Sequence, residues 1–234
     1  MTFQVDRQIT RSNTGFTQGL EFYKGKLFES TGLLAGGTRL DTITPAGAVK
    51  TLDNFGQQFF GEGLTILNDQ IYQLSWTEHR VAVYDMKGKL LRRMTNPREG
   101  WGLTHDGKNL ITSNGSTKLF FVSPKDFSLV RTLPVFSGPD PQAELNELEY
   151  VDGKIYANVF LTDLIVRIDA NSGCVDATAD LSDLKSRMSG DEIRHIDSDL
   201  NYVLNGIAYD PSQHLFYITG KSWQSIFTGH FVIK

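Results

Sequence analysis

Apolar and polar residues alternate along the chain in short runs, and the runs are separated by Gly, Asn or Asp. That pattern predicts β-hairpins. Five segments repeat it: Gln18-Gly19-Leu20-Glu21-Phe22, Glu62-Gly63-Leu64-Thr65-Ile66, Trp101-Gly102-Leu103-Thr104-His105, Asn146-Glu147-Leu148-Glu149-Tyr150 and Asn205-Gly206-Ile207-Ala208-Tyr209. Each runs on into a tight turn and a second strand. The shared aliphatic residue falls at 20, 64, 103, 148 and 207, at intervals of 44, 39, 45 and 59. A four-stranded propeller blade takes about 40–45 residues, so three intervals fit and the fourth carries an insertion. A second hairpin follows the first, as in Arg80–Asp85, a turn at Lys87-Gly88, then Leu90–Met94.

The expected fold is therefore an all-β, five-bladed β-propeller with four antiparallel strands per blade, one domain spanning residues 1–234. A two-sheet sandwich accounts less well for the regular period. After its first hairpin the last blade has only Gly229–Lys234 left, which is one strand. The strand Phe3–Ile9 supplies the fourth and closes the ring, so no sheet edge is left loose. Within the long interval, Leu181, Leu184 and Met188 lie at helical spacing, with Asp180 placed to cap a helix. One short helical insertion is expected there, either packed on the propeller face or acting as a lid.

Composition narrows the function classes. The chain has 234 residues, 40% of them hydrophobic, which suffices for a sizeable core. A net charge of −4 gives no basic surplus for nucleic acid. No apolar run approaches the ~18 residues of a membrane span. The single cysteine, Cys174, permits no internal disulfide. The N-terminal residues lack the apolar core of a signal peptide, so the expected compartment is the cytoplasm unless a leader has been removed. The five histidines show no zinc-ligand spacing, no G-x-S-x-G elbow or phosphate loop occurs, and the acids are not clustered as in a calcium cage. No metal and no cofactor are expected at the site.

In a propeller the first strand of each blade lines the channel. The residues two before the aliphatic anchor then form a ring at one mouth: Gln18, Glu62, Trp101, Asn146 and Asn205. The second strands end at the same face with Thr31-Gly32, Ser75-Trp76, Asn114-Gly115, Val159-Phe160 and Gly220-Lys221. Phe16 and Phe60 stand two residues ahead of Gln18 and Glu62. One carboxylate among carboxamides, an ammonium and aromatics suits proton transfer.

The series Phe16-Thr17-Gln18-Gly19-Leu20, Phe60-Gly61-Glu62-Gly63-Leu64, Gly100-Trp101-Gly102-Leu103, Leu145-Asn146-Glu147-Leu148, Leu204-Asn205-Gly206-Ile207 and Thr219-Gly220-Lys221 resembles the plant and bacterial type of glutaminyl cyclase, also called glutamine cyclotransferase. The likeness covers nearly the whole chain. It implies a five-bladed propeller and conversion of N-terminal glutaminyl residues of peptides or proteins to pyroglutamate with release of ammonia, without catalytic zinc. It implies a periplasmic or secreted protein if a leader was removed, and a monomer is expected. The family's catalytic glutamate falls on Glu62, and its other site residues on Phe16, Gln18, Phe60, Trp76, Trp101, Asn146 and Lys221. Phe160 stands where the plant enzymes carry tryptophan, which keeps an aromatic wall and loses an indole N–H. Two other classes share such a scaffold: a propeller that binds a peptide or sugar without chemistry, and a calcium-dependent lactonase-type hydrolase.

Overall fold

The repeated hairpins pair into five four-stranded antiparallel sheets among the described residues, each sheet one blade. The computed structural model describes residues 1–33 and 37–233 of the chain. The innermost strands are Thr17–Tyr23, Gly61–Leu67, Leu103–His105, Leu145–Val151 and Leu204–Asp210. They are buried almost throughout, because the flanking blades cover both of their faces. The outermost strands alternate between half-buried and exposed positions, as in Leu90–Thr95, since only one face meets protein.

The core is divided in the same way. Among the described residues there are five apolar clusters, each joining two adjacent blades. Phe28 and Leu40 of the first blade pack with Leu64, Ile66 and Ile71 of the second. Ile9, Ala208, Tyr217 and Ile226 of the fifth pack with Leu20, Leu27 and Ile43 of the first, so the ring is closed.

Closure uses the N-terminal strand, as the sequence predicts. Thr2–Thr10 pairs antiparallel with Ser225–Val232, from Thr2 opposite Val232 to Thr10 opposite Ser225. The partner strand begins at Ser225 rather than Gly229, and Lys234 lies outside the described residues. Arg11 then seals the seam between fifth and first blades. Its fully buried guanidinium donates to Glu29 Oε1 at 2.6 Å, to the Trp223 carbonyl at 2.6 Å and to the Gly220 carbonyl at 3.3 Å. A guanidinium with this many acceptors is compensated for the loss of water.

The insertion differs from the expected single helix. Asp180 ends the strand Val175–Asp180, and its Oδ1 accepts from the backbone N–H of Ser182 at 2.9 Å, at the start of the insertion. A 3₁₀ turn occupies Ser182–Arg187, and a separate α-helix spans Gly190–Ile196. The helix starts at Ser189, whose side chain accepts from the Glu192 backbone N–H. Leu181, Leu184, Met188 and Ile196 pack into the cluster between the fourth and fifth blades. Glu192 anchors the segment by accepting from the backbone of Gln224 and Ser225, each at 2.7 Å, and from Ser225 Oγ at 2.6 Å. Among the described residues, no helix is long and apolar enough to cross a membrane.

Candidate active site

Four innermost strands carry a β-bulge at the ring position. Register shifts fall between Thr17 and Gly19, Gly61 and Leu64, Leu145 and Leu148, and Leu204 and Ile207. A bulge leaves its residue out of the ladder and re-aims the side chain, and here those residues are Gln18, Glu62, Asn146 and Asn205. The next residue is glycine in four blades because the neighbouring blade presses on it. A Cβ on Gly19 would lie 2.3 Å from Leu64 N, and one on Gly63 would lie 2.5 Å from Leu103 N. In the fourth blade Glu147 takes that place. Its carboxylate crosses the channel to accept from Leu20 N at 3.1 Å and Ile207 N at 2.8 Å.

Phe16, Gln18, Phe60, Glu62, Trp76, Trp101, Asn146, Phe160 and Lys221 all line one cavity of about 210 Å³ at this mouth, together with Asn201. Every residue expected at the site except the ring residue Asn205 is thus in its wall. A larger hollow of about 610 Å³ lies at the hairpin-turn end of the first and fifth blades, beside Phe22, Gly25 and Asp210, and holds none of the ring positions.

Glu62 is 4% exposed. Gln18 Nε2 donates to its Oε1 at 3.0 Å, while its Oε2 is buried without a partner among the described residues. Burial pushes the Glu62 carboxyl well above the usual carboxylate range. Lys221 pulls against that shift, and the charges of Glu78 and Glu99 add to it. Lys221 is equally buried. Burial brings its ammonium down to about 8, with Glu62 opposing. Its Nζ stands 5.1 Å from the centre of the Phe16 ring and 4.7 Å from that of Phe160.

Asn205 departs from the expected wall. It is fully buried behind the cavity and donates to the Thr17 carbonyl at 3.0 Å and to Gln18 Oε1 at 3.4 Å. It therefore fixes which end of the Gln18 carboxamide faces Glu62. Of the five second-strand ends, those of the second, fourth and fifth blades supply Trp76, Phe160 and Lys221. Those of the first and third are glycines that make room for rings. A Cβ on Gly32 would sit 2.5 Å from Phe60, and one on Gly115 would sit 2.6 Å from Trp101.

Two residues at this mouth were not expected. Asn201 enters on the insertion, its Nδ2 and backbone N–H both held by Asp199 Oδ1 at 2.9 Å. Glu99 precedes Trp101 by two residues. Its Oε2 accepts from Trp76 Nε1 at 3.2 Å and Trp101 Nε1 at 3.4 Å. Asn201 lies outside the repeat frame, whereas Glu99 occupies in the third blade the position that Phe16 and Phe60 hold in the first two. The acid at Glu99-Gly100-Trp101 and the polar tip of the long interval were the signals available. Among the described residues, no group of three or more His, Cys, Asp or Glu is placed to hold a metal ion.

Known proteins share this arrangement of strands. The family model described as glutamine cyclotransferase matches residues 1–231. A glutaminyl-peptide cyclotransferase of Arabidopsis thaliana is 34% identical over 229 residues, covering 96% of this chain and 69% of that protein. The crystal structure of Myxococcus xanthus glutaminyl cyclase superimposes with a TM-score of 0.81 at 31% identity, covering 97% of this chain and 95% of that one.

Proposed function

The chain belongs to the glutamine cyclotransferase family, and from that premise we propose that it cyclises N-terminal glutaminyl residues of peptides by intramolecular aminolysis, with Glu62 moving the proton. The observation that carries this reading is the buried Glu62 carboxylate, one oxygen held by Gln18 and the other without a partner among the described residues, in an aromatic cavity beside Lys221.

The substrate brings both reactants. Its α-amine nitrogen bonds to its own γ-carboxamide carbon, and the bond from that carbon to the amide nitrogen breaks. Folding the side chain in the aromatic cavity supplies the proximity. Glu62 takes a proton from the attacking nitrogen and delivers it to the departing one, which leaves as ammonia. The carboxamide of Asn146 and the ammonium of Lys221 can donate to the carbonyl oxygen as charge grows on it. The aromatic walls keep water from competing with the amine.

The test is ammonia release from a peptide beginning with glutamine, set beside the same peptide with an acetylated α-amine. Release from the first alone supports the reading. Release from both would mean attack by water.

Lys221 stabilises the ionised form of Glu62, which is the form that accepts a proton. Replacing Lys221 by Met keeps the aliphatic stem and removes the charge. The acid limb of kcat is expected to move to higher pH, with lower turnover at neutral pH. Loss of the group that titrates near 8 should also weaken the alkaline limb. A pH–rate profile checks both, and an acid limb that stayed in place or moved down would contradict the role given to Lys221.

Phe160 stands edge-on to Trp101, ring centres 5.3 Å apart, on the cavity wall. Phe160→Ala should raise KM about tenfold, roughly the apolar contact of a half-buried ring, and leave kcat within about threefold. Steady-state kinetics on a glutamine-initiated peptide decides. A collapse of kcat at constant KM would place Phe160 at the reacting atoms.

A further inference from the structure

The aromatic residues of the cavity form a belt with two seams. Phe16 meets Phe60 edge-on with centres 6.2 Å apart, and Phe60 meets Trp76 at 5.6 Å. On the other side Trp101 meets Phe160 at 5.3 Å. The gap between Phe160 and Phe16 is spanned by the Lys221 ammonium, which lies over both rings. The gap between Trp76 and Trp101 is spanned by Glu99, which accepts from both indole nitrogens. Trp76 is 41% exposed, so little else packs it in place.

We infer that Glu99 is a positioning residue for substrate binding: its carboxylate ties Trp76 of the second blade to Trp101 of the third and so holds the belt closed around the glutaminyl side chain. This rests on the function proposed above. An indole offers one N–H, in the ring plane. An acceptor shared by two indoles therefore fixes how each ring is turned as well as how far apart they stand. A hydrogen bond to a charged acceptor is stronger than a neutral one. Glu99 touches no reacting atom in this arrangement, so its loss falls on binding and spares the chemical step.

The experiment compares Glu99→Ala, Glu99→Gln and wild type on a glutamine-initiated peptide, with acrylamide quenching of tryptophan fluorescence on the same preparations without substrate. Both variants remove the charge that Glu99 presents to Glu62, so any electrostatic effect on the proton shuttle is common to them. Only glutamine keeps an oxygen that can accept from the indoles. The chain has three tryptophans, and Trp223 is fully buried, so quenching reports on Trp76 and Trp101.

Glu99→Ala is expected to raise KM about tenfold, leave kcat within about threefold and increase quenching, with Glu99→Gln recovering most of both changes. Equal KM and equal quenching in the two variants would overturn the inference. So would a fall in kcat at unchanged KM in Glu99→Ala. A wild-type protein that releases no ammonia would defeat the proposed function alone, and the quenching comparison would still decide whether Glu99 closes the seam.

Discussion

Glu62→Gln should lower kcat on a glutamine-initiated peptide by about 10²–10⁴-fold, the usual worth of a positioned general acid–base. Size and hydrogen-bonding capacity are kept, so the link to Gln18 survives and only the transferable proton is lost. Glu62 is the one carboxylate among the five ring positions. Glu99, which accepts from the two indoles, and Glu78, whose Oε1 accepts from the Phe60 backbone N–H at 2.9 Å, are not among the residues lining the cavity. The fold should tolerate the change. Burial already holds the Glu62 carboxyl well above its ordinary range, so a neutral carboxamide suits the site at least as well as the ionised group. The thermal midpoint should be unchanged or higher. A clear drop in midpoint would instead make Glu62 a structural tie between blades, and near wild-type turnover would remove it from the mechanism.

Removing residues 1–10 should unfold the protein or lower its midpoint severely. The deletion strips the outer strand from the fifth blade and exposes the edge of Ser225–Val232, with which it is paired over its whole length. It also takes Ile9 out of the cluster joining the fifth and first blades. Several kcal/mol are lost with a paired strand, which is a large share of the roughly 5–15 kcal/mol that holds a typical domain together. Far-ultraviolet circular dichroism through a thermal ramp checks this, and a truncated chain that melts like the full one would contradict closure by that strand.

The blade count, the closing strand and the cavity-lining residues were legible because they follow one repeated frame. Period-two alternation and the recurring polar–glycine–aliphatic start locate the innermost strands, and the bulge recurs at the same place in four of them, so residues on different blades can be matched by position. Departures occur where the frame carries no information. Asn205 occupies a ring position, yet it turns behind the cavity to hold Gln18, a choice set by which carboxamide reaches the Thr17 carbonyl. Glu147 stands in a glycine position, and its crossing of the channel depends on unpaired N–H groups of two other blades.

The insertion is helical and packed on the propeller as expected, but its division into two helical pieces was missed, for a local reason. Leu181, Leu184 and Met188 are buried as their spacing suggests, but three-residue spacing serves a 3₁₀ turn as well as an α-helix. The start of the true helix was visible as Ser189-Gly190-Asp191-Glu192, a capping-box pattern. Glu192 is turned instead to the backbone of the fifth blade. Asn201 sits in a loop outside any period, and only folding brings it to the mouth; Glu99 stands at the frame position of Phe16 and Phe60, and its residue type, not its place, hid its role.

Under the proposed function the substrate's own amine, and no water, attacks the γ-carboxamide carbon. Running the reaction on a glutamine-initiated peptide in ¹⁸O-labelled water and weighing the product by mass spectrometry tests it directly. The expected product is a pyroglutamyl peptide free of label, with one ammonia released per peptide. A glutamyl product carrying ¹⁸O would show hydrolysis and contradict it.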